Sequence, residues 1–233
     1  ILGKSEVGKD LRTYLEPEAQ RVAVEQMAGR DGAVVALDVD TGGVLAMASY
    51  PSFDPNHFER YPKSRWRNGA IMDMYEPGST FKIITAAAAL ESGLIRPEDE
   101  MDCEMGGITL LGIRIRDHKP FGRLSFAQVL EKSSNVGVIK AALRIGDDRL
   151  YRTIRGFGFG ELTGIDLPGE SGGLLHPVER WGPLAKAYVS FGQGVSVTPL
   201  QLGVAAADHD GVQRRHPAAQ PAGRRTADAV RAP

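Results

Sequence analysis

The chain has 233 residues, of which 42% are hydrophobic and 24% charged, the balance of an ordinary folded domain rather than of a disordered or fibrous chain. Its 28 basic and 29 acidic residues nearly cancel, which argues against a broad electrostatic footprint for nucleic acid or anionic lipid. A single cysteine, Cys103, excludes a disulfide framework and a cysteine-rich zinc site, and no run of 18 apolar residues offers a membrane span.

Taken in chain order, Leu15, Ala19, Val22, Ala23 and Met27 recur at helical spacing, predicting a helix over about 16–28. Two β-rich runs follow, Ala33–Leu37 and Val44–Ala48, joined by the turn residues Asp38 to Gly43, which predicts a hairpin. Residues 51–78 read as an ordered loop ending in the turn Tyr75-Glu76-Pro77-Gly78. A long apolar helix is predicted from Ser79 to Glu91, stopped by Gly93. Short strands are predicted around Ile108–Leu111 and Ile113–Ile115. Residues 124–145 read as mostly helical with a break at Ser133-Ser134-Asn135, residues 156–175 as a glycine-rich loop, and a further helix opens after Pro199. From Ala207 to Pro233 the only large aliphatic residues are Val212 and Val230, too little apolar surface to offset chain entropy, so disorder is expected there.

Two constellations carry chemistry. Ser79-Thr80-Phe81-Lys82 sets a hydroxyl and an amine at positions i and i+3, on one face of a helix, so Lys82 is able to take the Ser79 proton. Alone, this spacing is met more often as a capping serine with a solvent-facing lysine. Ser133-Ser134-Asn135 offers a hydroxyl and a carboxamide from a break between helices, an arrangement that polar capping also explains. Cys103 reads as a small packed residue, Asp117-His118-Lys119 as a polar loop cluster, and Asp38 and Asp40 as turn caps rather than metal ligands.

The wording around these residues resembles class B penicillin-binding proteins. Ala46 to Asn56, Asn68 to Ile71 and Tyr75-Glu-Pro-Gly-Ser-Thr-Phe-Lys-Ile-Ile-Thr-Ala86 look like that family's nucleophile region, and Leu130-Glu-Lys-Ser-Ser-Asn-Val-Gly137 like its second motif. Phe157 to Gly160, Thr163 to Glu170 and Ser190 to Leu202 are similar to its later blocks. The resemblance covers about residues 8–206, leans towards the division and sporulation members, and implies an α/β (α+β) penicillin-recognition fold, an antiparallel sheet flanked by helices, of the serine β-lactamase and transpeptidase type. It implies that Ser79 attacks a D-Ala–D-Ala stem peptide, that Lys82 accepts the proton, that Ser133 relays it to the leaving D-Ala, and that Asn135 binds the acyl side of the peptide. β-Lactams are the implied inhibitors, and no cofactor or metal is implied. Cell-division or elongation proteins are the implied protein partners. The implied location is the outer face of the cytoplasmic membrane, reached through an anchor on a longer parent of this chain, which opens on Ile1.

One element of the pattern does not occur. No Lys-Thr-Gly or Lys-Ser-Gly is found; Thr41-Gly42 follows Asp40 and Thr163-Gly164 follows Leu162. The family-like text stops near Ala206, so residues 1–206 read as a transpeptidase domain incomplete at its C-terminus, with 207–233 resembling a wrong-frame translation. The expectation is weak or absent activity in this chain as written, and an unpaired edge on the hairpin. A serine β-lactamase and a non-catalytic β-lactam-binding or scaffold fragment are the alternatives.

Overall fold

The computed structural model describes residues 11–207. They fall into two compact units, one ending at Ala70 and one beginning at Ile71.

In the first unit, α1 (Pro17–Met27) opens with proline at its first position, where no backbone donor is lost. It packs on a two-stranded antiparallel ribbon, β1 (Gly32–Leu37) and β2 (Val44–Tyr50), with Ala23, Ala46 and Ala48 buried between them. Asp38 caps the connecting turn by accepting from the backbone N–H groups of Asp40 and Thr41 at 3.0 and 2.8 Å, as predicted. Among the described residues β1 pairs with β2 alone. On the outer edge of β2, Gln20 of α1 closes the backbone of Met47 from both sides: its Nε2 donates to the Met47 carbonyl at 2.9 Å, and its Oε1 accepts the Met47 N–H at 2.8 Å. A side-chain amide thus does locally what another strand would do.

The short helix α2 (Gly69–Met72) comes next. In the second unit, a 3-10 turn over Gly78–Phe81 leads into α3 (Lys82–Glu91). The helix read from Ser79 therefore starts at Lys82. The Gly78 N–H is committed to the Gly192 carbonyl at 3.0 Å, and the turn closes with an i to i+3 bond from Lys82 N–H to the Ser79 carbonyl. Three ribbon partners follow: β3 (Glu100–Asp102), β4 (Gly107–Leu110) and β5 (Ile113–Arg116), with β6 (Arg123–Ser125) completing the set. β4 pairs with β5 and β3 with β6, both antiparallel. The pairs β4 and β5 match the expected short strands; three-residue β3 and β6 are too short to show alternation.

Helices α4 (Phe126–Glu131) and α5 (Asn135–Ile145) flank the break expected at 133–135. Ser125 opens α4 with a capping box shared with Gln128. The remaining helices are α6 (Asp147–Gly156), α7 (Ala185–Val189) and α8 (Pro199–Ala207). The core of this unit gathers Phe81, Ile84, Met101, Phe126, Val129, Ile139, Leu150, Ile154 and Phe159, with the rings of Phe81 and Phe159 5.1 Å apart. Cys103 is buried in the same cluster, as expected of a small packed residue. The expected wrong-frame tail lies, beyond Ala207, outside the described residues.

Gly137 shows how closely α4 and α5 approach. A Cβ there would lie 2.5 Å from Cγ2 of Val129. Gly137→Ala is expected to lower stability by about 1–3 kcal/mol through overpacking, read from urea denaturation monitored by circular dichroism.

Candidate active site

Ser79 stands on the 3-10 turn and is exposed, while Lys82, three residues on, is only 3% exposed. Side chains at i and i+3 eclipse one another on a 3-10 turn, so the turn aligns the two more directly than the expected α-helix. The turn is held from behind. Gly192, with φ +80°, packs so closely that a Cβ would run into the Gly78 carbonyl oxygen and lie 2.7 Å from the Gly78 nitrogen. Tyr75 and Val197 exchange backbone hydrogen bonds of 3.1 and 2.9 Å, and Gly194 N–H donates to Glu76 Oε1 at 2.8 Å. Thr85 on α3 donates its hydroxyl to the Ser190 carbonyl at 2.8 Å. The segment 190–197 is therefore the backing of the Ser79 turn.

Lys82 points to Ser133 across 51 residues of sequence. Its Nζ donates to the Ser133 carbonyl at 2.6 Å and to the Ser133 Oγ at 2.9 Å. Ser133 makes both contacts from φ +54°, a left-handed conformation rare for a residue with a side chain and found where surrounding structure over-determines it. Among the described residues no hydrogen bond joins Lys82 to Ser79, nor occupies the Ser79 hydroxyl. Burial pushes the Lys82 pKa down to about 8, opposed by the Asp117 carboxylate. A buried amine with a lowered pKa is the form able to accept a proton near neutral pH.

Asn135 is the first residue of α5. Its Nδ2 donates to the Arg116 carbonyl at 2.9 Å, which leaves Oδ1 without a partner among the described residues. Ser79, Lys82, Ser133 and Asn135 thus all belong to the second unit, with Lys82 and Ser133 in direct contact.

Asp117 sits in the expected polar loop and reaches from it to the start of α5. Its Oδ2 accepts from the buried Ser134 hydroxyl at 2.6 Å, and its Oδ1 accepts from the Asn135 and Val136 N–H groups, the latter at 3.0 Å. His118 turns away onto the Phe121 ring, 5.3 Å between centroids. No local sequence signal marks Asp117, because its partners lie 17 to 19 residues on. Gly192 was more legible, since Gly-Gln-Gly is turn chemistry. A cleft of about 430 Å³ lies beside Glu76, Trp181, Tyr188, Gln193 and Gly194, and neither Ser79 nor Lys82 lines it. The candidate site is the exposed Ser79 on its turn together with the Lys82–Ser133 contact beside it.

Comparison with known proteins places these residues in a family context. The family described as the penicillin binding protein transpeptidase domain matches residues 32–209. The chain is 39% identical over 204 residues to stage V sporulation protein D of Bacillus subtilis, covering 83% of this chain and 32% of that protein. It is 41% identical over 180 residues to peptidoglycan D,D-transpeptidase FtsI of Escherichia coli K12, covering 77% and 30%. Among solved structures, penicillin binding protein 3 of Mycobacterium tuberculosis in complex with aztreonam superposes with a TM-score of 0.75 at 35% identity, covering 81% of this chain and 44% of that one. The chain spans about a third of the length of these curated relatives.

Proposed function

The chain belongs to the family of penicillin-binding protein transpeptidase domains, with the mixed helix-and-strand fold of that family, and from that membership we propose that it is part of a serine D,D-transpeptidase of the cell envelope. The observation that carries this reading is the buried Lys82 amine held on Ser133 one 3-10 turn from an exposed Ser79. Ser79 Oγ attacks the penultimate D-Ala carbonyl of a stem peptide, and its proton passes to neutral Lys82. As the peptide C–N bond breaks, the proton moves through the Ser133 hydroxyl to the amine of the departing D-Ala. Asn135 Oδ1 accepts an N–H from the acyl side of the peptide. An amine from a second strand then attacks the ester, forming the cross-link and releasing Ser79.

β-Lactams are trapped by the same serine in this reading, as amide-like electrophiles that open without leaving the site. Division or sporulation is the setting favoured by the relatives, and the outer side of the cytoplasmic membrane is the location that peptidoglycan chemistry requires. Residues up to 206 are the transpeptidase-domain part of the chain in this proposal. The test is the lifetime of a fluorescent penicillin on the purified chain. Label persisting for tens of minutes on folded protein supports a transpeptidase. Label that forms and is released within seconds points instead to a β-lactamase.

A further inference from the structure

The last residue of β5 and the residue after it hold the start of α5. Arg116 accepts from the Asn135 side chain, and Asp117 accepts from the Ser134 hydroxyl and from the N–H groups of Asn135 and Val136. Capping alone does not call for this arrangement. Ser134 is already the N-cap of α5, its hydroxyl accepting from the Gly137 N–H at 3.0 Å. Asp117 adds a second, non-local acceptor for that first turn and fixes where the Ser134 proton points. Immediately upstream is Ser133, held in a left-handed backbone conformation that L-residues rarely adopt, with its carbonyl oxygen and its hydroxyl both on the Lys82 amine.

Resting on the acyl-transfer reading above, we propose that Asp117 is a positioning residue for the reaction: its carboxylate clamps Ser134–Val136 and thereby holds Ser133 in the conformation that presents its hydroxyl to Lys82. The same charge bears on the amine. Asp117 favours the Lys82 ammonium and opposes the burial that disfavours it. The other ionisable groups around the Ser134 side of this network are buried Cys103, Asp102 and Lys140, the last paired with Glu104 at 2.7 Å. None of these three touches the Lys82 amine.

The experiment compares Asp117→Asn and Asp117→Ala with the parent chain, measuring acylation by benzylpenicillin between pH 6 and pH 10, per folded molecule. Asparagine keeps Oδ1 as an acceptor for the two N–H groups but removes the charge and the acceptor for Ser134. It is expected to slow acylation at least tenfold and to move the pH midpoint of the rate downwards, because the ammonium loses its stabilising anion. Asp117→Ala is expected to slow acylation at least a hundredfold. A stability loss with unchanged rate and unchanged midpoint would reduce Asp117 to a helix cap and overturn the proposal. Should the parent chain fail to acylate, the acyl-transfer reading fails by itself, and the Lys82 amine is followed instead by NMR titration of 13C-methylated lysines, its resonance assigned by Lys82→Arg. A lower midpoint in Asp117→Asn upholds the coupling of Asp117 to Lys82; an identical midpoint overturns it.

Discussion

Gly192→Ala is expected to destabilise the chain by about 2–5 kcal/mol and to abolish presentation of Ser79. Two costs combine. A left-handed φ of +80° costs an L-residue roughly 1–2 kcal/mol. The added methyl meets backbone atoms of Gly78 and lies 2.8 Å from Phe81 Cβ, and overpacking of this kind costs about 1–3 kcal/mol. Gly93→Ala is the control, because Gly93 has φ +68° but nothing within 4 Å of a Cβ. It bears the backbone cost without the collision. Chemical denaturation of both variants, with penicillin labelling of the folded fraction, checks this. Equal losses in the two would show that close approach at Gly192 does not hold the turn.

Lys82→Met is expected to lower the acylation rate by about 10²–10⁴, the usual worth of a positioned general base. The same substitution has a pH signature in stability. The ordinary lysine value is 10.5, and burial brings Lys82 to about 8. Between those values the unfolded chain still holds a proton that the folded chain has released, so folded stability rises with pH across that window. Below about pH 8 the charged amine is carried into the fold at a cost of about 3 kcal/mol. The unfolding free energy of the parent relative to Lys82→Met is therefore expected to increase by up to about 3 kcal/mol from pH 7 to pH 10. A flat difference would mean that Lys82 keeps its ordinary affinity for the proton.

Much of this site was legible in the residues, and the limits of that reading have physical causes. The helix over 16–28, the 33–48 hairpin and the break at 133–135 were visible because periodicity and turn chemistry are local. Helix α6 carries a local signal too, Leu150 and Ile154 four residues apart on one buried face, but those two residues alone bear it within an arginine-rich stretch. The spacing of Ser79 and Lys82 was legible, but not the 3-10 turn that aligns them, since that turn depends on a carbonyl of Gly192 supplied from 114 residues away. The pairing of Lys82 with Ser133 and the clamp from Asp117 are likewise tertiary, and each runs through a residue whose own neighbours give no sign of its partner. What sequence offered was the chemistry of the groups; what packing added was which of them meet.

The central claim is that Ser79 is a nucleophile served by Lys82, and intact-mass spectrometry after incubation with benzylpenicillin tests it most directly. One covalent adduct of the mass of the intact antibiotic is expected on the parent chain and none on Ser79→Ala. A chain shown to be folded by circular dichroism yet left unmodified, or an adduct that survives in Ser79→Ala, would contradict it.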